Sequence, residues 1–253
     1  MDAYKDFAMV YDTFMDNAPY DKWLQFLIEN FNKYKVPKEL VLDLGCGTGT
    51  LTQMLSKKGY DMIGVDNSDE MLSIAIQKGM NVTQNILYLL QDMREFELYG
   101  TVRAVISICD SINYLLEEED IVKTFSLINN YLDPGGIFVF DFNTVYKYES
   151  VIGDATIAEN RDTCSFIWEN YYHTKEHINE YDLTIFVKEE NERYRRFDET
   201  HYQRGYTVRQ MEEFLHKAGL VLLETLDSDT YGPVSESSER VYMIARESGK
   251  NSE

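Results

Sequence analysis

Leu40-Val41-Leu42-Asp43-Leu44-Gly45-Cys46-Gly47-Thr48-Gly49 is the stretch that decides the fold. An apolar run broken only by Asp43 ends in three glycines at alternate positions. Leu51 and Leu55 then open a helical pattern. Strand, tight loop and helix in that order make the βα unit that begins a nucleotide-binding sheet. Glycines let a ligand approach the main chain, and the first helix amides point at whatever sits above the strand end. A dinucleotide fingerprint requires Gly-x-Gly-x-x-Gly or Ala. Here Thr50 follows Gly49 and breaks that spacing. A carboxylate at Asp43 repels a pyrophosphate and suits a ligand with a cationic amino group.

Downstream, Leu51 to Lys58 reads as a helix stopped by Gly59, and Tyr60 to Asp66 as a second strand ending in an acid. Asp66 falls where doubly wound folds place a carboxylate on vicinal ribose hydroxyls. The competing role, capping the next helix, is better met by Asn67 or Ser68 with Glu70 in the first turn. That helix runs to Lys78, and Gly79 follows it. Asn85 to Leu90 is a third strand, followed at once by Gln91-Asp92-Met93. Val102 to Cys109 is apolar almost throughout, as a strand at the centre of a parallel sheet must be. It leads into Asp110-Ser111-Ile112-Asn113-Tyr114. The acidic run Glu117 to Asp120 is a solvated helix start, the helix reaches about Leu132, and Asp133-Pro134-Gly135-Gly136 turns into a strand over Ile137 to Phe142.

Upstream, residues 4–31 carry aromatic and apolar groups at helical spacing, with Pro19 dividing two helices and Asp21 near the start of the second. Beyond Asn143 the helical pattern is lost until Gly205. Ser165 to His173, Tyr181 to Lys188 and Tyr194 to Gln203 alternate with period two and predict three antiparallel strands. Trp168, Tyr172, Phe186 and Tyr202 within them either pack that sheet or line a substrate cavity. Thr207 with Gln210 predicts a capped helix to Lys217. A strand over Leu220 to Leu226, a polar loop and a last strand from Arg240 to Ala245 follow, with Glu247 to Glu253 expected to be a disordered tail.

Asp43 with its glycine loop, Asp66, Asp92 and the Pro134-Gly135-Gly136 turn, in that order, resemble the class I S-adenosylmethionine-dependent methyltransferases over most of the chain outside the insertion. The resemblance implies an α/β, Rossmann-like seven-stranded sheet with an antiparallel last strand, plus a small three-stranded antiparallel β insertion. Residues 1–144 and 206–246 would form the cofactor-binding domain, residues 1–33 its lid, and residues 145–205 a cover over the substrate site. The cofactor implied is S-adenosyl-L-methionine. Asp43 and the amides of Gly45, Cys46, Gly47 and Gly49 would hold its methionine part and Asp66 its ribose. Asp92 would accept from the adenine amino group, and Met93 would pack on the adenine ring. Asn67, Met71 and Cys109 complete the set. Tyr4 to Asp12 resembles the N-terminal segment of small bacterial methyltransferases, which folds over the cofactor; Tyr11 is either core or part of that cover.

No residue declares itself as a general base. Asp110, Tyr114 and His201 are the candidates, and no cluster with metal-ligand spacing is present. Cys46, Cys109 and Cys164 form no Cys-x-x-Cys pair, which points to a reducing cytoplasm rather than a disulfide scaffold. A formal net charge of −20 disfavours nucleic acid as a partner. No apolar run is long enough for a leader or a membrane span. The expectation is a monomer or homodimer methylating a nitrogen or oxygen of a small molecule. The competing readings are a sensor that binds the cofactor without turnover, a methyltransferase for RNA or protein, and a nicotinamide-dependent oxidoreductase.

Overall fold

In the computed structural model, which describes residues 7–80, 86–189 and 192–250, the strand quoted first is an interior strand of the sheet, flanked on both sides. β1 (Leu40–Leu44) pairs in parallel with β2 (Asp61–Asp66) on one side and β4 (Val102–Ser107) on the other. With β3 (Leu87–Leu90), β5 (Leu132–Asn143), β10 (Leu220–Asp227) and β11 (Arg240–Glu247), they form a seven-stranded sheet ordered β10-β11-β5-β4-β1-β2-β3. Only β11 runs against its neighbours. The reason is local: a loop without a helix joins β10 to β11, and a strand returning without a crossover must pair antiparallel.

Helices cover both faces. Side chains alternate along β1, so Leu42 and Leu44 join a core with Phe125, Ile128, Met211 and Phe214, while Val41 joins one with Leu27, Phe31 and Leu55. The first core belongs to α5 (Glu118–Tyr131) and α6 (Val208–Lys217); the second to α2 (Tyr20–Lys33) and α3 (Thr50–Lys57). Both cores are fully buried, so truncating Leu42 to Ala should cost about 2–5 kcal/mol. α4 (Asp69–Gly79) starts at Ser68, whose hydroxyl accepts from Met71 N–H at 3.2 Å. α6 carries the predicted capping box between Thr207 and Gln210.

The N-terminal helices divide at Pro19 as expected, into α1 (Ala8–Phe14) and α2; the Tyr4 end of the expected pattern lies outside the described residues. Asp12 of α1 fixes that helix against the glycine loop. Its carboxylate accepts from Thr48 Oγ1 at 2.6 Å and from Lys78 Nζ at 2.7 Å.

Two expectations fail. The insertion has four strands rather than three: β6 (Thr156–Asn160), β7 (Cys164–His173), β8 (Ile178–Lys188) and β9 (Tyr194–Arg204), antiparallel in that order. β6 escapes periodicity because it is an edge strand with almost no buried side chain. A single π-helical turn, Lys147–Ile152, precedes it where no helix was expected. The tail is also docked through Lys250. Glu247 closes β11 and accepts from Gly135 N–H at 2.8 Å, and Lys250 Nζ donates to the carbonyls of Asn129, Asn130 and Leu132. An ammonium there satisfies the free carbonyls at the negative end of α5; residues 251–253 lie outside the description.

Val10 and Phe14 of α1 pack on Cys164, Phe166, Leu183 and Ile185 of the insertion, forming a third, smaller apolar cluster. The first helix therefore bridges the glycine loop and the inserted sheet.

Candidate active site

A cleft opens over the carboxyl ends of β1, β2 and β4, with the glycine loop as its floor. Gly47 and Gly49 both have positive φ but serve different ends. A Cβ on Gly49 would meet the Tyr88 hydroxyl at 2.5 Å, so that glycine permits packing beneath the loop. A Cβ on Gly47 would meet nothing within 4 Å; its backbone faces the open cleft. Asp66 shapes the loop as well as facing the cleft. Its carboxylate accepts from Gly47 N–H at 2.8 Å and Ser68 N–H at 2.9 Å. Burial pushes its pKa up, against the pull of those amides. Asp43 is buried beneath them, takes a 2.6 Å hydrogen bond from Thr52 Oγ1, and has its pKa pushed up to about 7 by burial.

Most of the residues expected around a cofactor meet here. Gly45, Cys46, Asn67 and Met71 line the cleft over β1 and β2; Met93 and Cys109 wall it further along, and Tyr11 reaches it from α1. Gly49 does not; it sits behind the loop. Asp92 does not either. Arg94 donates to both its oxygens, at 2.6 Å from Nη2 and 2.9 Å from Nε, and these bonds pull its pKa down. Gln91 and Met93, its neighbours, form the wall instead. Sequence reasoning also missed Tyr20 and Trp23 of α2 and Ser111, which complete the enclosure. A helical aromatic stripe carries no mark distinguishing core from cover.

The other end of the cleft rests on buried charges. Beyond β4, Cys109 and Asp110 are two successive non-glycine residues in the left-handed region, at φ 73° and 53°. Such backbone persists only where surrounding groups over-determine it. Asp141, at the end of β5, does so: its carboxylate accepts from Cys109 N–H at 3.2 Å and Asp110 N–H at 2.7 Å. Burial pushes the Cys109 thiol up to about 12, so it is a packing group rather than a nucleophile.

Asp110, one of the expected base candidates, is committed elsewhere. Arg240 Nη2 lies 2.5 Å from its Oδ1 and Gln203 Nε2 donates to its Oδ2 at 2.8 Å. Burial alone would raise its pKa; Arg240 and Lys147 outweigh that and hold it down. It does not line the cleft, so the structure corrects its role from base to anchor.

Tyr114 does line the cleft. Its hydroxyl lies 2.7 Å from the Tyr181 hydroxyl and 3.2 Å from His201 Nδ1. His201, off the cleft and almost wholly buried, has its Nε2 at 3.0 Å from Glu199 Oε2. In the tautomer whose Nε2 donates to the Glu199 carboxylate, Nδ1 is left to accept from Tyr114. Glu199 Oε1 accepts from Phe7 N–H at 2.8 Å, tying the network to the first helix. Glu199 and His201 are two apart on β9, hence on one face of the strand; that spacing was the available signal for Glu199.

Among the described residues no three His, Cys, Asp or Glu are grouped to hold a metal ion, and no helix is long and apolar enough to cross a membrane.

Comparison with known proteins adds the following. The profile of a methyltransferase domain matches residues 41–136. The Bacillus subtilis (strain 168) protein named "Putative methyltransferase YqeM" is 39% identical over 246 residues, 97% of each chain. A crystal structure of an S-adenosylmethionine-dependent methyltransferase from Clostridium acetobutylicum ATCC 824 is 30% identical and superposes with a TM-score of 0.88, covering 97% of this chain and 99% of that one. Over 101 residues, 40% of this chain and 41% of the relative, there is 32% identity to dTDP-3-amino-3,4,6-trideoxy-alpha-D-glucopyranose N,N-dimethyltransferase of Streptomyces venezuelae.

Proposed function

The chain belongs to the class I S-adenosylmethionine-dependent methyltransferases, and on that premise we propose that it methylates a nitrogen or oxygen of a small molecule, with Tyr114 taking the proton of the incoming nucleophile. The observation that carries this reading is the Tyr114 hydroxyl on the cleft wall, joined to the buried His201–Glu199 pair.

The cleft fits the cofactor. The open side of Gly47 gives room over the loop amides, and Asp66, though it accepts from two of those amides, also faces that space. In this reading Asp43 and the loop hold the methionine end, Asp66 the ribose, and Met71 and Met93 the adenine. Asp92, bound to Arg94, is left out. When bound, S-adenosylmethionine supplies an electrophilic methyl group on its sulfonium. Tyr114 accepts the nucleophile's proton as its own passes to His201 Nδ1, and Glu199 holds the resulting imidazolium. A positioned proton acceptor of this kind contributes about 10²–10⁴-fold to a rate. Tyr11, Tyr20 and Trp23 keep water from the reacting centre, and α1, which contributes Tyr11, is braced against the inserted sheet.

A small acceptor is supported by the enclosure of the cleft and by a formal charge that opposes a phosphate backbone. The amino-sugar methyltransferase among the relatives makes nitrogen a compatible target. The test is a screen of amines, phenols and hydroxy acids with deuterated-methyl cofactor, read by mass spectrometry beside tRNA and a whole-protein extract. Methyl transfer to a small acceptor is the expected outcome. Labelled RNA or protein, with every small molecule blank, would overturn the reading.

A further inference from the structure

Beside the nucleotide cleft, with Trp23 as a shared wall, lies a second cavity of about 420 Å³. It opens where the end of β5 and the start of β11 meet α2 and the 228–239 loop. Its charge runs against that of the chain. In a protein of net charge −20, three cations line this one cavity: Lys22, Lys147 and Arg240.

These cations are not equally committed. Arg240 spends three N–H groups on Asp110, Asp141 and the Asn143 side chain. Among the described residues the Lys147 ammonium makes one hydrogen bond, 3.0 Å to Asn143 Oδ1, and forms no ion pair. Burial pulls its pKa down and the neighbouring Arg240 adds to that, outweighing the opposite pull of Asp110, Glu239 and Asp141. A half-buried ammonium beside a guanidinium sets two like charges on one wall of the cavity. An anion placed there gains a charge-assisted hydrogen bond and relieves the repulsion between the two cations. Of the two acids on the wall, Asp229 is exposed and screened by solvent, while Glu239 is half-buried like Lys147 and Arg240 and offsets part of their charge.

We propose that this cavity is the subsite for an anionic group of the methyl acceptor, a carboxylate or a phosphate ester, held chiefly by Lys147 with Lys22 at its edge. The assignment rests on the methyltransferase reading for what the rest of the acceptor does. Its nucleophile would reach the nucleotide cleft on one side of Trp23 while its anion sits on the other.

The full chain saturated with S-adenosylhomocysteine is titrated with inorganic phosphate and, separately, with acetate, at constant ionic strength. Tryptophan fluorescence is the readout, since Trp23 stands on the shared wall. The wild type should give a saturable response to one of the two. Lys147→Met, which keeps the aliphatic stem, should weaken it about tenfold or more, and Lys22→Met about threefold. Saturation by phosphate alone identifies a phosphate ester, by acetate alone a carboxylic acid. No saturable response to either anion, or unchanged binding in Lys147→Met, overturns the proposal. Should Lys147→Met fail to fold, Lys22→Met, at an exposed helix position, decides: unchanged affinity there overturns it too. Binding of S-adenosylhomocysteine is measured first in every sample. Its absence would sink the methyltransferase reading while leaving the anion titration interpretable.

Discussion

The two ends of the cleft are held by different means. Over β1 and β2, the contacts come from one continuous piece of chain, Leu40 to Met71: backbone amides, glycines and the carboxylates of Asp43 and Asp66. Once β1, the loop, α3 and β2 form, the floor of that end has its shape. Over β4, β5 and β11 the partners are far apart in sequence. Asp110 meets Arg240 across 130 residues, Gln203 meets Asp110 across 93, and Tyr114 meets His201 across 87. That end exists only after the last strand and the insertion have docked. On the proposed reading, a shared cofactor is met by local structure, while Tyr114 at the far end depends on partners delivered by the insertion and the last strand.

This contrast can be broken by mutation, and the largest effect is expected at the far end. Arg240→Leu leaves Asp110 and Asp141 buried without their cation and should cost about 3–5 kcal/mol of stability. Urea unfolding followed by circular dichroism measures it. A loss under ~1 kcal/mol would mean that the acids take up protons at little cost and that the rim does not depend on the arginine.

At the near end, Asp66→Ala should cost about 1.5–3 kcal/mol in cofactor affinity, the range for hydrogen bonds to a charged group. The same substitution frees the Gly47 and Ser68 amides, so their exchange with solvent should quicken in the variant. Normal binding by calorimetry would show that the ribose is held elsewhere.

The smallest effect sharpens the role of Asp43. Its folded pKa of about 7 lies above the unfolded carboxylate value of ~3.9, so the native state holds its proton more tightly. Stability should therefore fall as pH rises between those values. Affinity for a ligand with a cationic amino group should move the other way, rising by up to about tenfold per pH unit as the carboxyl ionises below pH 7. Asp43→Asn should flatten both slopes. A cofactor affinity independent of pH in the wild type would remove Asp43 from the binding of that amino group.

How much of this was legible follows the same division. The seven-stranded sheet, its reversed last strand, and the placing of Asp43, Gly47 and Asp66 were readable because each rests on a short-range pattern. Asp92 misled because the residue two places on, Arg94, claims its carboxylate. β6 was invisible because an exposed edge strand leaves no apolar alternation. The Lys250 contact was hidden because a polar, charged tail gives no sign of three carbonyls waiting at the end of α5. Asp141 and Arg240 could be seen only as an acid ending an apolar strand and a base beginning another. Nothing local says that they meet.

The central claim, that one end of the cleft holds the cofactor and the other moves the proton, is tested most directly by Tyr114→Phe. Turnover with an acceptor from the screen and titration with S-adenosylhomocysteine are measured on the same preparation. The account predicts cofactor-product binding within about twofold of wild type and kcat lowered about 10²–10⁴-fold, the range for losing a positioned proton acceptor. Full turnover in Tyr114→Phe, or loss of binding by the same factor as the loss of rate, would contradict it.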